Sequence, residues 1–82
     1  MKGSDLKSLR TRLGLSQAEV ARMLGYFSAG EPNRSQISRY ENNYQKINGR
    51  LKDAIIANFS WEAEKRLPDP DEMKNDLKSF KL

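Results

Sequence analysis

The sequence predicts an all-α fold, a compact bundle of four to five helices, and three observations carry that expectation. Leucine, isoleucine and aromatic residues recur at three- and four-residue spacing in several segments. Capping residues open these segments, and glycine, asparagine or proline closes them. No strand-like alternation runs longer than a few residues, and there is no internal repeat.

The first helix is expected from Asp5 to Leu13, capped by Ser4, with Asp5 at the positive end of the helix dipole. Leu6, Leu9 and Leu13 form its apolar stripe, and Lys7, Arg10 and Arg12 lie off it. Gly14 ends it. Ser16 opens a second helix through the capping box Ser16-x-x-Glu19, in which hydroxyl and carboxylate satisfy two free backbone amides reciprocally. Ala18, Val20, Ala21 and Leu24 give that helix a buried side, and Gly25 stops it. The small Ala21 allows another helix to cross at close range.

From Gly25 to Asn33 the composition changes to two glycines, a proline and polar residues, which is loop chemistry. A third helix follows from Arg34 to about Glu41, capped by Asn33, with Ile37 and Tyr40 inward and Arg34, Ser35, Gln36, Ser38 and Arg39 outward. Asn43 to Ile47 is a polar connector, after which Asn48 caps the next helix. Leu51, Ile55, Phe59, Ala63 and Leu67 recur every fourth residue, which allows one long helix from Gly49 to Leu67. Asn58-Phe59-Ser60 reads as a break within it, with Ser60 capping Trp61 to Leu67, and the broken form is the expectation. Asp69-Pro70-Asp71-Glu72 starts a last helix to about Phe80, with a cap, a proline in the first helical position and acids in the first turn. Met73, Leu77 and Phe80 line one side of it.

Composition excludes several functions. The 82 residues include no cysteine and no histidine, which removes thiol chemistry, the commonest metal ligands and the usual general base near neutral pH. With no phosphate-cradling glycine loop and no spaced acid cluster, no enzyme, no metal and no cofactor is expected. The longest purely apolar run, Ala54 to Ala57, is far below the roughly 18–20 residues that span a bilayer, and no signal-like segment follows Met1-Lys2. A soluble, cytoplasmic protein without a membrane partner is the expectation. Net charge is +4, and residues 1–58 carry ten Lys/Arg against five Asp/Glu whereas residues 59–82 carry five against six. The basic excess therefore sits with the second and third helices, as a nucleic-acid-binding surface would have it.

Leu13-Gly14-Leu15-Ser16-Gln17-Ala18-Glu19-Val20-Ala21, then Leu24-Gly25, then Ser35-Gln36-Ile37-Ser38-Arg39-Tyr40-Glu41-Asn42 together resemble the Cro/C1-type helix-turn-helix family of phage repressors and bacterial regulators. The likeness runs well from Leu6 to Asn42 and loosely over the next helix. It implies a lambda repressor-like fold with residues 1–67 as the DNA-binding domain and stops before the tail, where the Met73, Leu77 and Phe80 stripe makes residues 68–82 an amphipathic helix that docks or dimerises. It also implies base contacts from Arg34, Ser35, Gln36, Ser38 and Arg39, since arginine suits guanine O6 and N7, glutamine adenine N6 and N7, and serine a phosphate or base edge. Gln36 suits a phosphate or a neighbouring subunit equally well.

By the same likeness Gln17 touches a phosphate and buttresses the reading helix, the other reading being a solvated first-turn residue. Lys7, Lys46, Arg50 and Lys52 are candidates for backbone contacts, or ordinary solvated surface. Arg10 and Glu41 match a salt bridge between the first and third helices. The departure is the connector, nine residues from Gly25 to Asn33 where a turn of about 3–4 is usual; it leaves Arg34 at the end of a flexible approach. The implied function is a sequence-specific regulator of double-stranded DNA, a repressor that binds a palindromic operator as a homodimer. Phe59, Trp61, Met73, Leu77 and Phe80 are the candidates for the dimer surface or for packing of the tail. Two other functions compete with it, an antitoxin-type autoregulator with a partner-binding tail and a protein-interaction adaptor that does not bind DNA.

Overall fold

The computed structural model describes residues 1–81 and contains five helices, α1 (Gly3–Arg12), α2 (Gln17–Leu24), α3 (Arg34–Glu41), α4 (Gly49–Arg66) and α5 (Pro70–Ser79). A two-stranded antiparallel ribbon, β1 (Phe27–Ser28) and β2 (Glu31–Pro32), lies between α2 and α3. The fold is all-α apart from this ribbon.

Local chemistry accounts for most helix ends. The α1 helix ends at Gly14, φ 71°, with Leu15 N–H donating to Arg10 O and Gly14 N–H to Thr11 O, the paired bonds of a Schellman turn. At α2, Ser16 Oγ accepts from Glu19 N at 3.0 Å and the Glu19 carboxylate accepts from Ser16 N at 2.9 Å. The Ser16 backbone N–H, then the Ser16 hydroxyl and Arg66, hold the Glu19 carboxyl below its usual range. Asn33 Oδ1 accepts from Gln36 N at the start of α3, and Asn48 Oδ1 from Leu51 N at the start of α4.

The start of α1 differs from expectation. The helix begins at Gly3, not after Ser4, because two side chains cap it earlier. Asp5 Oδ2 accepts from Lys2 N at 2.8 Å, and Asn43 Oδ1, beyond the end of α3, accepts from Gly3 N at 3.1 Å. Gly3 is buried there, and a Cβ on it would lie 2.1 Å from the Tyr40 carbonyl oxygen. Only a glycine lets the two backbones approach this closely.

The connector is also a correction, since the flexible approach is a formed hairpin. Phe27 pairs with Pro32 and Ser28 with Glu31 around Ala29 and Gly30, whose φ angles are 52° and 80°. Two successive positive φ values define a type I′ hairpin turn, which normally selects Asn-Gly or Asp-Gly. Alanine disguises the signal in the sequence. It also strains the turn, so Ala29→Asn should raise the melting temperature by about 3–6 °C, corresponding to relief of somewhat under 1 kcal/mol. A lowered melting temperature in calorimetry would contradict the turn geometry.

The α4 helix is continuous through Asn58-Phe59-Ser60, which overturns the expected break. Asn58 Nδ2 donates to Ala54 O at 2.8 Å, so the amide joins its own helix instead of ending it. Ile55, Phe59 and Ala63 are each 0% exposed, and a break at Ser60 would turn Ala63 away from the core that Phe59 fills.

The core gathers Leu6 and Leu9 of α1, Val20 and Ala21 of α2, Ile37 and Tyr40 of α3, and the buried face of α4. Met73 and Leu77 of α5 complete it at 0% exposure, and Phe80 packs against it partly buried. Burial of Met73 and Leu77 contributes roughly 1.5–3 kcal/mol each before the entropy of ordering α5. Phe59, Met73 and Leu77 therefore serve this core and are not available to a dimer surface; Trp61, 65% exposed, is. Arg12 of α1 meets Asp76 of α5 at 2.8 Å, an exposed pair that adds little. No described helix is long and apolar enough to cross a membrane.

Candidate nucleic-acid interface

Three helices meet at one carboxylate. Glu41, at the end of α3, has a side chain only 3% exposed, and Arg10 of α1 grips it with two bonds, Nε to Oε2 at 2.6 Å and Nη2 to Oε1 at 3.2 Å. Gln17, the first residue of α2, donates from Nε2 to Glu41 Oε1 at 3.0 Å. Arg10 Nη1 also donates to Leu15 O, in the turn between α1 and α2, at 3.0 Å. The angle of α3 to both other helices is set by charge-assisted bonds with defined directions.

A second brace ties the hairpin to α3. Tyr26 N–H donates to Ala21 O at the end of α2, and Tyr26 O accepts from Asn33 N–H at the start of α3. The Tyr26 and Tyr40 hydroxyls lie 3.2 Å apart with ring centroids at 5.9 Å. Burial, then the bond to Tyr40, pushes the Tyr26 phenol up to about 12. The register of α3 is thus held at both of its ends, and the long connector does not loosen it.

The outer face of α3 presents Arg34, Ser35 and Arg39 exposed, and Gln36 and Ser38 half-buried. Arg39 Nη1 donates to Gln36 Oε1 at 3.2 Å, and Gln36 Nε2 donates to Gln45 Oε1. Asn42 Nδ2 donates to Ser38 O at 2.9 Å and to its Oγ at 3.2 Å. The predicted base-contact residues do not form one group. Gln36 and Arg39 are linked side by side, whereas Arg34 shares an open cleft of about 530 Å³ with Lys7, Gln17, Ser16 and Asn42, floored by Arg10 and Glu41.

The remaining candidates for backbone contacts are dispersed. Lys46 is exposed in the connector after α3, and Lys52 is half-buried in the first turn of α4. Arg50 lines a smaller hollow with Tyr26, Leu24 and Ala54. Among the described residues, ion pairs involve Arg10, Arg12, Arg66 and Lys74, and none involves Lys7, Arg34, Arg39, Lys46, Arg50 or Lys52. Those six cations are left to solvent or to a ligand. Sequence reasoning missed Gln45, Asn42 and Tyr26. Nothing local marks the first two, while the position of Tyr26 directly after the Gly25 stop was the available signal for the third.

The three-helix junction and the solvent-facing α3 define a helix-turn-helix. A helix-turn-helix family model matches residues 6–51, and the chain belongs to the Cro/C1-type helix-turn-helix family. It is a DNA-binding helix-turn-helix regulator. No curated protein and no solved structure matches the chain.

Proposed function

We propose that the protein is a repressor that binds a palindromic operator as a homodimer, with α3 in the major groove and half-sites about one helical turn, roughly 34–36 Å, apart. The observation that carries the reading is the outer face of α3, which presents Arg39 and Gln36 together, braced from behind at Glu41 and, among the described residues, with no carboxylate paired to Arg39. Arginine has the donor fork for guanine, and glutamine has the donor and acceptor for adenine. Occupying the operator excludes polymerase, and no chemistry is required.

Arg34 is better suited to phosphate than to a base, because it shares the open cleft with Lys7 and Gln17 at the start of α2. A phosphate there meets two cations and an amide. Lys46, Arg50 and Lys52, spread over the connector after α3 and the first turn of α4, are further candidates for phosphate contacts. Each phosphate neutralised should steepen the fall of log K against log salt by about 0.9.

Support for a dimer comes from α4, whose outward face carries Ala57 and an exposed Trp61. A tryptophan 65% open to solvent, with the Lys65 ammonium 5.3 Å from its ring centroid, suits a contact surface better than a monomer exterior. By contrast α5 uses Met73 and Leu77 on its own core, which removes support for a tail that captures a partner protein.

Arg39→Ala is expected to cost about 1–3 kcal/mol of binding and to relax preference at one base pair in each half-site. The check is selection of bound duplexes from a randomised pool, followed by titration against single-base variants of the selected site. Equal weakening on every sequence would reassign Arg39 to phosphate.

A further inference from the structure

We propose that Gln45, in the connector after α3, is a positioning residue for base recognition that holds Gln36, and through it Arg39, in the conformation that meets base edges. The inference rests on the DNA-binding reading above. It starts from a directed chain of hydrogen bonds, Arg39 Nη1 to Gln36 Oε1 and Gln36 Nε2 to Gln45 Oε1.

Chemistry gives this chain only one direction. A guanidinium has no acceptor, so the Gln36 oxygen must face Arg39, and the Gln36 amide nitrogen must then face Gln45. Gln45 supplies the oxygen, which turns its own NH2 outward. Flipping the Gln36 amide would lose both bonds. Without these partners, two long side chains with much rotamer freedom would have to be ordered on DNA at the cost of affinity and discrimination.

The chain leaves the reading groups available. Gln36 keeps one N–H and one oxygen lone pair, the pair that recognition of adenine uses, and Arg39 keeps the other edge of its guanidinium for guanine. The backbone explains how Gln45 reaches this place. Asn43 adopts φ 62°, and Tyr44 N–H and Gln45 N–H then both donate to Arg39 O, at 2.9 and 3.3 Å. The connector thereby folds back over α3 and sets Gln45 beside the side chain nine residues earlier.

Two substitutions and one readout test the proposal: selection of bound duplexes from a randomised pool, followed by titration of the recovered site and its single-base variants. Gln45→Met keeps length and removes the acceptor. It should lower discrimination about three- to ten-fold at the base pairs that Gln36 and Arg39 read, with melting temperature and salt slope unchanged. Gln45→Glu keeps an oxygen for Gln36 and adds a charge, so it should weaken all duplexes alike while keeping the wild-type preference. Wild-type discrimination in Gln45→Met would overturn the proposal, as would equal weakening on every duplex, which marks a phosphate contact. Wild-type protein that enriches no sequence would overturn the underlying DNA-reading assignment as well, and so tells the two failures apart.

Discussion

Arg10→Ala should destabilise the protein by about 3–5 kcal/mol, because it leaves the buried Glu41 carboxylate without its cation. The Glu41 side chain is 3% exposed and that of Arg10 13%, so neither charge can recover its lost partner from water without opening the junction of α1, α2 and α3. Gln17 would still donate one hydrogen bond to Glu41, which keeps the loss from being larger. For a domain of this size, net stability of roughly 0.05–0.15 kcal/mol per residue makes that cost a large fraction of the whole. The double variant Arg10→Met/Glu41→Met removes both charges and should restore most of the stability, since apolar replacement of a buried pair is often neutral or better. Denaturant unfolding of Arg10→Met, Glu41→Met and the double variant measures the coupling directly. Additive losses would mean that the pair behaves as two surface charges. DNA affinity should not recover in the double variant to the degree that stability does, because methionines lack the directed bonds that fix the angle of α3.

Gly3→Ala should be nearly as damaging, although the residue lies at the edge of the fold. Its new methyl group would meet the Tyr40 carbonyl oxygen at 2.1 Å and the Glu41 carbonyl oxygen at 2.6 Å, both of them backbone atoms that cannot swing aside. Either the first turn of α1 unwinds, losing its bond from Gly3 N to Asn43, or α1 moves off the end of α3 and strains the Arg10–Glu41 pair. Overpacking of this kind costs about 1–3 kcal/mol, and for so small a domain each kcal/mol lowers the melting temperature by about 4–8 °C. Ser4→Ala makes a suitable control, because Ser4 is exposed and caps nothing. Equal melting temperatures for Gly3→Ala and wild type would show that α1 and α3 do not approach this closely in solution.

What the sequence reveals follows the range of the interactions. The Ser16-Glu19 capping box, the glycine stops at Gly14 and Gly25 and the caps at Asn33 and Asn48 act within a few residues, so each is readable where it stands. The Arg10–Glu41 pair spans 31 residues and was legible only through the likeness to a known family. Gly3 had no such guide, since its reason for being glycine is a carbonyl 37 residues away. At α4 local signals pointed the wrong way, because Asn58 and Ser60 commonly cap or break helices. The burial of Phe59 and Ala63 on one face, with Asn58 bonded back to Ala54, outweighs that preference. The hairpin was hidden by a single residue, alanine at position 29 where asparagine or aspartate would have announced the turn.

The same logic divides the interface. Residue types on α3 were legible because Ile37 and Tyr40 mark its inner face and leave the rest outside. Their grouping was not, since it depends on how α2 and the connector after α3 are folded against them. Arg34 joins Lys7 and Gln17 across a cleft, and Gln36 and Arg39 join Gln45, which no spacing rule would select.

Recovery of bound duplexes from a fully randomised pool shows whether α3 reads DNA sequence from a surface built to hold Gln36 and Arg39 in place. Two inverted half-sites centred one helical turn apart, roughly 34–36 Å, are expected, with preference at one base pair in each half lost on Arg39→Ala. Recovery of duplexes with no common sequence, at an affinity that falls with salt but is indifferent to Arg39, would contradict sequence reading by α3.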